Sequence, residues 1–339
     1  MFLSKRYFTT GKPAHNLNYN QEYVNFINNY ANKNYKLIIT KCLCGIKNDE
    51  LLSSVDRHGV KFELVICKQC GLIRAKNYWD ESSVIDFYKN HYRNIIYTKI
   101  NRVSLEERYN REKKHAESFK WPFINSILKK NMDKKFKIID CGGGTGGTIG
   151  DYKNKCDCLI VDYDEEYLNF AKKNNYKTLY GGLEEIQKNN VKFDLIILSH
   201  VVEHWNNFNK EIENLSSICD NNTLIYIETP GIDSLKDGRS RYDLLLRDIH
   251  YPHYYYFTSY VFNQIMLKFG FECIKFNNNY QGLFKFTGNK KENMFNFYDR
   301  VKSDLILAEK LRLRNEYKIL IKPFIPKKFI DLYKLIRDK

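Results

Sequence analysis

A glycine-rich run near the middle of the chain has the composition of a ligand-binding turn. The run, Lys137-Ile-Ile-Asp-Cys-Gly-Gly-Gly-Thr-Gly-Gly, follows a short apolar segment and precedes a helix-like one. Gly142, Gly144 and Gly146 carry no Cβ, so the backbone can take positive φ angles and a ligand can approach it closely. A plain structural turn is the alternative. Asp162 ends the next apolar run about twenty residues later, where a carboxylate can accept hydrogen bonds from both ribose hydroxyls, and this second match favours the binding turn.

Histidines and tyrosines cluster further along the chain. His204 follows an apolar run, and His250 and His253 stand three residues apart in a segment that also contains Tyr256. The pKa of histidine lies near neutrality, so each of the three is a candidate general base, and His253 is the first choice. A single histidine is more often a hydrogen-bonded structural residue. The grouping favours a site, and its polar and aromatic side chains suit a sugar ring.

Four of the nine cysteines fall in two close pairs. Cys42 and Cys44 form a Cys-x-Cys pair, Cys67 and Cys70 form a Cys-x-x-Cys pair, and each pair is followed by glycine. Four thiolates at such spacing can close a tetrahedral structural zinc site, with His58 as a reserve ligand. The first pair is one residue shorter than the usual knuckle, so a ribbon that has lost its metal is the alternative.

The length and charge of the chain restrict the classes of function. A chain of 339 residues can hold an α/β domain with smaller additions. Its net charge of +15 favours an anionic partner: a nucleic acid, an acidic membrane surface, or a phosphate-bearing substrate. No stretch reaches the roughly 18 apolar residues that span a bilayer, and no signal-peptide core opens the chain, so we expect a cytoplasmic protein. Because the lysines are dispersed, no nucleic-acid partner is expected, although a nucleic-acid-binding protein remains the alternative class.

The pattern of residue types divides the chain into three predicted parts. Residues 1–95 contain the cysteine pairs and look like a small separate module. Residues 96–289 alternate strand-like and helix-like segments, the pattern of a doubly wound sheet. Residues 290–339 form a basic helical tail whose amphipathic end either lies on an anionic membrane or packs on the protein. The predicted strands of the middle part are Lys137–Asp140, Cys158–Asp162, Lys177–Tyr180, Phe193–Ser199, Thr223–Thr229, Phe271–Phe276 and Leu283–Thr287.

The spacing Asp-x-Gly-x-Gly-x-Gly, which begins at Asp140, resembles the first motif of class I S-adenosylmethionine-dependent methyltransferases. The resemblance implies an α/β, Rossmann-like, seven-stranded domain with S-adenosylmethionine as cofactor. It places Asp140 at the methionyl amino group, Asp162 at the ribose and Leu183 against the adenine. The cofactor-binding positions that it implies are Asp140, Gly142, Gly144, Gly146, Asp162, Leu183, Ser199 and His200. The last two lie in a stretch that is similar to the fourth motif of the family, near the methionyl part.

The histidine and tyrosine segment is similar to a stretch of methyltransferases that modify sugars and surface polysaccharides. The two cysteine pairs are similar to the zinc module of one subgroup, the zinc-containing sugar C-methyltransferases. That subgroup pairs a glutamate with the following histidine as a dyad, whereas here Pro252 precedes His253. Deprotonating a carbon is harder than deprotonating a positioned hydroxyl, so we expect O-methylation before C-methylation.

The same subgroup closes a tyrosine-bearing segment over its substrate, and Tyr88, Tyr92 and Arg93 match the form of that segment. Ordinary helix packing explains these residues equally well. Glu228, at a strand end, and Tyr256 are further candidates for substrate binding. The implied activity is methylation of a sugar hydroxyl, on a nucleotide-linked sugar or a surface glycan such as capsule or lipopolysaccharide, in the cytoplasm or at the inner membrane face. A sugar C-methyltransferase and a nucleic-acid-binding or nucleic-acid-modifying protein are the alternatives.

Overall fold

The computed structural model describes residues 2–14, 20–92, 95, 103–128, 132–188, 191–232, 235, 244–277, 281–291 and 296–321. The strands of these residues are β1 (Leu37–Ile39), β2 (Asp49–Val55), β3 (Lys61–Cys67), β4 (Ile73–Ala75), β5 (Asn77–Trp79), β6 (Lys137–Cys141), β7 (Asp157–Asp162), β8 (Lys177–Tyr180), β9 (Leu195–Ser199), β10 (Leu224–Glu228), β11 (Tyr255–Tyr256), β12 (Phe271–Phe276) and β13 (Gln281–Phe286). They form sheets of two, four and seven strands.

The helices of the described residues are α1 (Gln21–Phe26), α2 (Asn32–Asn34), α3 (Glu81–Asp86), α4 (Leu105–His115), α5 (Trp121–Asn125), α6 (Glu165–Lys173), α7 (Leu183–Gln187), α8 (Phe208–Ser217), α9 (Leu244–Asp248), α10 (Ser259–Lys268) and α11 (Tyr298–Ile321). Several begin at a side chain that caps the first turn: Asp164 accepts a hydrogen bond from the backbone of Tyr167 at 3.0 Å, and Thr258 accepts one from Val261 at 3.3 Å. Three wide π-helical turns, at Ile27–Ala31, Phe87–His91 and Ala116–Lys120, continue helices into their next segments.

The seven-stranded sheet has the order β12-β13-β10-β9-β6-β7-β8. The five strands from β6 to β10 run parallel, and β13 and β12 are antiparallel. Their apolar runs have the near-continuous character of strands covered on both faces, and the four residues Leu195 to Leu198 are completely buried. All seven predicted strands are present, with ends shifted by at most two residues. The chain reverses its direction of travel across the sheet between β6 and β9, and in such sheets ligands bind at that point, beyond the carboxyl ends of the strands.

The segment after the glycine run differs from the prediction. Instead of a regular helix, the run leads into a single 3₁₀ turn, Gly147–Ile149, and further turns. Helix α4 crosses this segment so closely that a Cβ on Gly147 would lie 2.6 Å from the carbonyl oxygen of Tyr109. The helix-like interpretation was therefore wrong: the segment makes short i to i+3 bonds, such as that from the N–H of Gly150 to the carbonyl of Gly147 at 3.1 Å, and packs against a neighbouring helix.

The four-stranded sheet joins the N-terminal segment to a later part of the chain. Its order is β11-β4-β3-β2, and β11 pairs antiparallel with β4, Tyr255 opposite Arg74 and Tyr256 opposite Ile73. The N-terminal residues and this later segment thus share one sheet and one hydrophobic core. The histidine-rich segment before β11 is held in place by this pairing. The domain limits at 95 and 289 remain predictions.

Within the described part of the chain, no helix combines the length and the apolar character needed to cross a membrane. Helix α11 packs on the protein through buried Val301 and Leu305. The amphipathic end of the predicted tail, residues 322–339, lies outside the described residues.

Candidate functional site

The glycine turn and the carboxylate of the neighbouring strand meet at the carboxyl end of the sheet. The φ angles of Gly142, Gly144 and Gly146 are 69°, 53° and 85°, a region that favours glycine. The backbone N–H of Gly144 donates to Oδ2 of Asp162 at 2.9 Å, and the N–H of Asp164 donates to Oδ1 at 2.8 Å. The structure thus brings together the residues that the sequence predicts for the turn and for the ribose contact.

Asp140 lies beneath this turn with an unused carboxylate oxygen. The residue is 1% exposed, and Oδ2 accepts no hydrogen bond from any described residue. Burial raises the pKa of Asp140 to about 7, against the opposing charge of Lys120. A buried acceptor without a donor is costly, and an ammonium group of a bound ligand would supply the missing donor. The predicted contact with a methionyl amino group fits this observation.

The side of the turn that faces β8 carries an aromatic residue that the sequence analysis did not consider. Leu183, predicted to pack on the adenine, is only 3% exposed at the start of α7. Tyr163 directly follows Asp162, is 48% exposed, and donates a hydrogen bond from its hydroxyl to Glu184 at 2.7 Å. Tyr163 therefore offers more exposed apolar surface than Leu183, and its position beside Asp162 is the signal that could have identified it.

A buried lysine links the ends of β9 and β10. Lys120 is the last residue of the π-helical turn after α4, and its Nζ donates to Oγ of Ser199 at 2.8 Å and lies 3.5 Å from Oε2 of Glu228. Ser199 in turn donates to Oε2 of Glu228 at 3.0 Å. Burial alone would raise the pKa of Glu228, but the charges of Lys120 and His200 lower it. No sequence signal distinguishes Lys120 from the many other lysines. Both Ser199 and Glu228 are therefore engaged with protein groups.

His200 adopts a strained backbone next to this pair. Its φ angle is 56°, which is uncommon for a residue with a side chain, and its N–H donates to the carbonyl of Glu228 at 2.7 Å. Burial alone would lower the pKa of His200, but the carboxylates of Glu203 and Glu228 raise it above its ordinary value. The strain holds an imidazole between two acids at the switch point of the sheet.

Glu203 and His204 follow in a 3₁₀ turn, Val202–His204. Glu203 is completely buried, and neither carboxylate oxygen has a hydrogen-bond partner among the described residues. Burial alone would raise its pKa, but the facing histidines lower the pKa of Glu203 to about 2. The sequence analysis assigned no role to Glu203, although an acid directly after an apolar strand is a usable signal. The turn therefore buries an ionised carboxylate without a fixed donor.

The orientation of His204 follows from its neighbours. Its Nδ1 lies 2.7 Å from the carbonyl oxygen of Pro252 and 2.9 Å from the hydroxyl oxygen of Tyr88. A carbonyl oxygen only accepts, so we assign the proton to Nδ1, which leaves the lone pair on Nε2. The hydroxyl of Tyr78 also donates to the carbonyl of Pro252, at 3.0 Å. The N-terminal segment thus positions the catalytic candidate His204 in the turn after β9.

The two remaining catalytic candidates lie against His204. The ring centroids of His250 and His253 are 3.9 Å apart, and those of His204 and His253 are 5.0 Å apart. Nδ1 of both His250 and His253 is buried without a hydrogen-bond partner among the described residues. Burial holds the pKa of both far below the ordinary value, so both are neutral at pH 7. Tyr256, a predicted substrate contact, uses its hydroxyl to bond the backbone N–H and carbonyl of His250, at 3.1 and 3.2 Å.

The predicted substrate-closing segment reaches this cluster through one tyrosine. Tyr88 lies in the π-helical turn Phe87–His91 and contacts His204, whereas the ring of Tyr92 packs 5.0 Å from that of Tyr88. Arg93 lies outside the described residues. Of the three, only Tyr88 is placed at the histidines among the described residues, and the role of Tyr92 remains a prediction.

The four paired cysteines converge at one point. The Sγ atoms of Cys42 and Cys70 are 3.4 Å apart, those of Cys44 and Cys42 are also 3.4 Å apart, and those of Cys44 and Cys67 are 3.7 Å apart. Each pair closes a tight turn, in which the glycine that follows donates its N–H to the first cysteine's carbonyl at 2.9 Å. The thiols are free, and their mutual spacing suits a shared metal ion.

Comparisons with known proteins bear on this arrangement. Residues 90–275, more than half of the chain, match the protein family described as "Methyltransferase domain". A search of curated proteins by sequence finds no match.

Similar solved structures include the plantazolicin methyltransferase BpumL in complex with SAH, at 20% identity over 54% of this chain and 72% of that one, with a TM-score of 0.38. Magnesium protoporphyrin IX methyltransferase from Synechocystis PCC 6803 with bound SAH is 15% identical over 61% of this chain and 98% of that one, with a TM-score of 0.40. A TehB-like SAM-dependent methyltransferase from Corynebacterium glutamicum is 16% identical over 54% of this chain and 98% of that one, with a TM-score of 0.38.

Proposed function

Because the chain belongs to the methyltransferase-domain family and is an S-adenosylmethionine-dependent methyltransferase, we propose that it methylates a hydroxyl group of a sugar. The acceptor is a nucleotide-linked sugar or a surface glycan such as capsule or lipopolysaccharide. The observation that carries this proposal is the cluster of His204, His250 and His253, enclosed by tyrosines beside the end of β9. Such a mixture of aromatic surface and polar nitrogen suits a polyhydroxylated ring.

The residues of the turn would hold the cofactor, which supplies an electrophilic methyl group. Asp162 would accept hydrogen bonds from the ribose, since its carboxylate keeps acceptor capacity beyond its bonds to backbone N–H groups. Asp140 would face the amino group with its unused Oδ2. The predicted cofactor contacts of Ser199 and His200 remain proposals, as does that of Leu183.

Methyl transfer to oxygen is an in-line displacement in which the hydroxyl proton must leave. A neutral imidazole accepts a proton, and His253 is our first choice for this step, with His204 and His250 as the other candidates. Pro252 stands where the C-methylating subgroup has a glutamate, so carbon methylation is the second candidate. Glu228 would contact an acceptor hydroxyl only through a lone pair that its bonds to Ser199 and Lys120 leave free.

We further propose that the four cysteines bind a structural zinc ion, as in the zinc-ribbon-containing sugar methyltransferases that the sequence resembles. A Zn–S distance of about 2.3 Å gives a tetrahedron with edges of about 3.8 Å, close to the sulfur separations of 3.4 to 3.7 Å. Zinc analysis of the purified chain should find one ion that Cys67→Ser removes, together with a loss of thermal stability. A zinc content per chain in that variant equal to the wild-type content would contradict the assignment.

The partners follow from chemistry and charge and remain proposals. The net charge of +15 suits a phosphate-bearing sugar nucleotide or a glycan at the cytoplasmic face of an anionic inner membrane, where the enzyme would bind peripherally. We expect no nucleic-acid partner. The test incubates the full chain with labelled S-adenosylmethionine and separate panels of sugar nucleotides, glycans and RNA, and follows the label into product. Label in a sugar oxygen is the expected result, whereas label in RNA, or cofactor binding without glycan product, would overturn the proposal.

A further inference from the structure

We propose that Glu203, His204 and His253 bind a divalent metal ion beside the cofactor pocket. One ligand atom from each of the three residues lies within 4.8 Å of the others. An ion about 2.1 Å from each ligand would place the ligand atoms roughly 3 to 4.2 Å apart, so only small side-chain movements separate this arrangement from a coordination sphere. The set is distinct from the four cysteines, which lie in the N-terminal sheet region.

Glu203 shows the clearest sign of a missing partner. It is completely buried, and its ion pairs are long, with Nδ1 of His200 at 3.4 Å and Nε2 of His204 at 3.8 Å from Oε1. Neither carboxylate oxygen accepts a hydrogen bond from the described residues. A buried carboxylate is normally paired, hydrogen-bonded or bound to a metal ion. A cation at this point would satisfy both oxygens.

His204 is already arranged as a metal ligand. Its Nδ1 donates to the carbonyl of Pro252 at 2.7 Å, so its Nε2 presents a lone pair on the side of Glu203. A ligating histidine in proteins usually donates its other ring N–H to a carbonyl or carboxylate, which fixes the ring and its tautomer. The hydroxyl of Tyr78 donates a second hydrogen bond to the same carbonyl oxygen.

His253 completes the set from the loop before β11. It is 9% exposed, its Nδ1 has no hydrogen-bond partner among the described residues, and its ring lies 5.0 Å from that of His204. His250 packs on the far side, with ring centroids 3.9 Å apart. Two imidazoles and one carboxylate form a ligand set that suits divalent first-row metal ions and leaves coordination positions open.

This inference deepens the proposed function and, for its substrate class, rests on it. Open positions on one ion accommodate two neighbouring oxygens, so the acceptor would be a sugar with adjacent hydroxyls that bind together. The ion would polarise the acceptor oxygen and ease loss of its proton, which takes over the task otherwise given to His253. The oxygen then forms the bond to the methyl carbon, the C–S bond breaks with its electron pair on sulfur, and the proton passes to water.

The test counts metal ions on the full chain. Chelator-treated protein is equilibrated by dialysis with Mn²⁺ and, separately, with Zn²⁺, and bound metal per chain is measured by plasma mass spectrometry. Mn²⁺ prefers oxygen and nitrogen ligands, so it avoids the cysteines. We expect wild type to hold one ion more per chain than Glu203→Gln or His253→Ala, with at least one of the two metals. Glu117→Gln, on the exposed face beyond α4, is the matched control and should bind as wild type does.

Equal metal content in wild type and both variants, with both metals, would overturn the inference. Affinity for S-adenosylmethionine serves as the folding check for Glu203→Gln and His253→Ala. The two variants lie in different elements, so loss of the ion in both, with cofactor affinity retained, reflects loss of a metal ligand and not misfolding. The count does not depend on any sugar. An extra ion without sugar methylation would thus refute the proposed function alone, and sugar methylation without the ion would refute the metal site alone.

Discussion

Replacement of Asp162 by alanine gives the most direct test of the cofactor pocket. The carboxylate joins the glycine turn to the end of β7 by accepting from Gly144 at 2.9 Å and from Asp164 at 2.8 Å. The carboxylate keeps acceptor capacity for the proposed hydrogen bonds from the ribose hydroxyls. Asp162→Ala removes both acceptors, so S-adenosylmethionine should bind more weakly.

The expected magnitude follows from the bonds that are lost. Hydrogen bonds to a charged group contribute about 1.5 to 3 kcal/mol each, but the freed ribose hydroxyls regain water, so a net loss of about 1 to 3 kcal/mol is expected. At 1.4 kcal/mol per factor of ten, the dissociation constant should rise roughly 5- to 150-fold. Asp162→Ala also leaves the N–H of Gly144 without its acceptor, so part of this loss reflects a less ordered turn.

The assay is isothermal calorimetry with S-adenosylmethionine on both wild type and variant, and the matched control is Asp164→Ala. Asp164 caps α6 through Tyr167 at 3.0 Å, so its loss should lower the free energy of unfolding by about 1 kcal/mol and leave cofactor affinity unchanged. Unchanged affinity in Asp162→Ala, or an equal loss in both variants, would refute the assignment of the ribose contact.

Further predictions concern the carboxylate, the base and the lysine. The pKa of Asp140 is raised to about 7, so the folded chain holds a proton that the unfolded chain loses near pH 4, and the stability of the fold should decrease as pH rises from about 4 to 7. Cofactor affinity should increase as pH rises through 7, by at most tenfold per pH unit. Asp140→Asn should abolish both pH dependences, measured by thermal melts and by calorimetry over a pH series. His253→Ala should lower the turnover number by a factor of about 10² to 10⁴ and leave cofactor affinity unchanged. Wild-type rates of this variant in a labelled-methyl assay would refute the assignment of His253 as the base. Lys120→Met removes the cation beside the buried carboxylate of Glu228, so denaturant titration should show the free energy of unfolding lowered by about 1 to 3 kcal/mol. Adding Glu228→Gln to the same chain should restore part of that free energy, whereas additive losses would count against the pairing.

The sequence predicted those parts of the fold whose determinants are local. Apolar runs bounded by glycine and charged residues marked all seven strands of the central sheet within two residues. Parallel strands that are adjacent in the chain end at the same edge of the sheet, so the proximity of the glycine turn to Asp162 also followed from strand order. Each cysteine pair also forms its own local tight turn, which the spacing within the pair and the following glycine indicate.

The missing parts depend on contacts between distant segments. Lys120 reaches Ser199, 79 residues away, because a π-helical turn redirects its side chain, and no periodicity in the sequence encodes that turn. The 3₁₀ turn at Gly147–Ile149 replaces a predicted helix because α4 crosses it. In each case tertiary packing overrides the local pattern, and a single sequence carries no signal for it.

The joint sheet explains why the histidine cluster, the proposed acceptor side of the site, needs the N-terminal segment. Strand β11 pairs with β4, which fixes the loop from His250 to His253, and Tyr78 holds the carbonyl of Pro252 that orients His204. The cofactor side, by contrast, is built by the central sheet together with α4. The two sides therefore have separate structural supports. A change in the N-terminal segment, such as Tyr78→Phe, should loosen the histidine cluster through the carbonyl of Pro252 without reaching the glycine turn, so substrate selection can vary while cofactor binding stays constant.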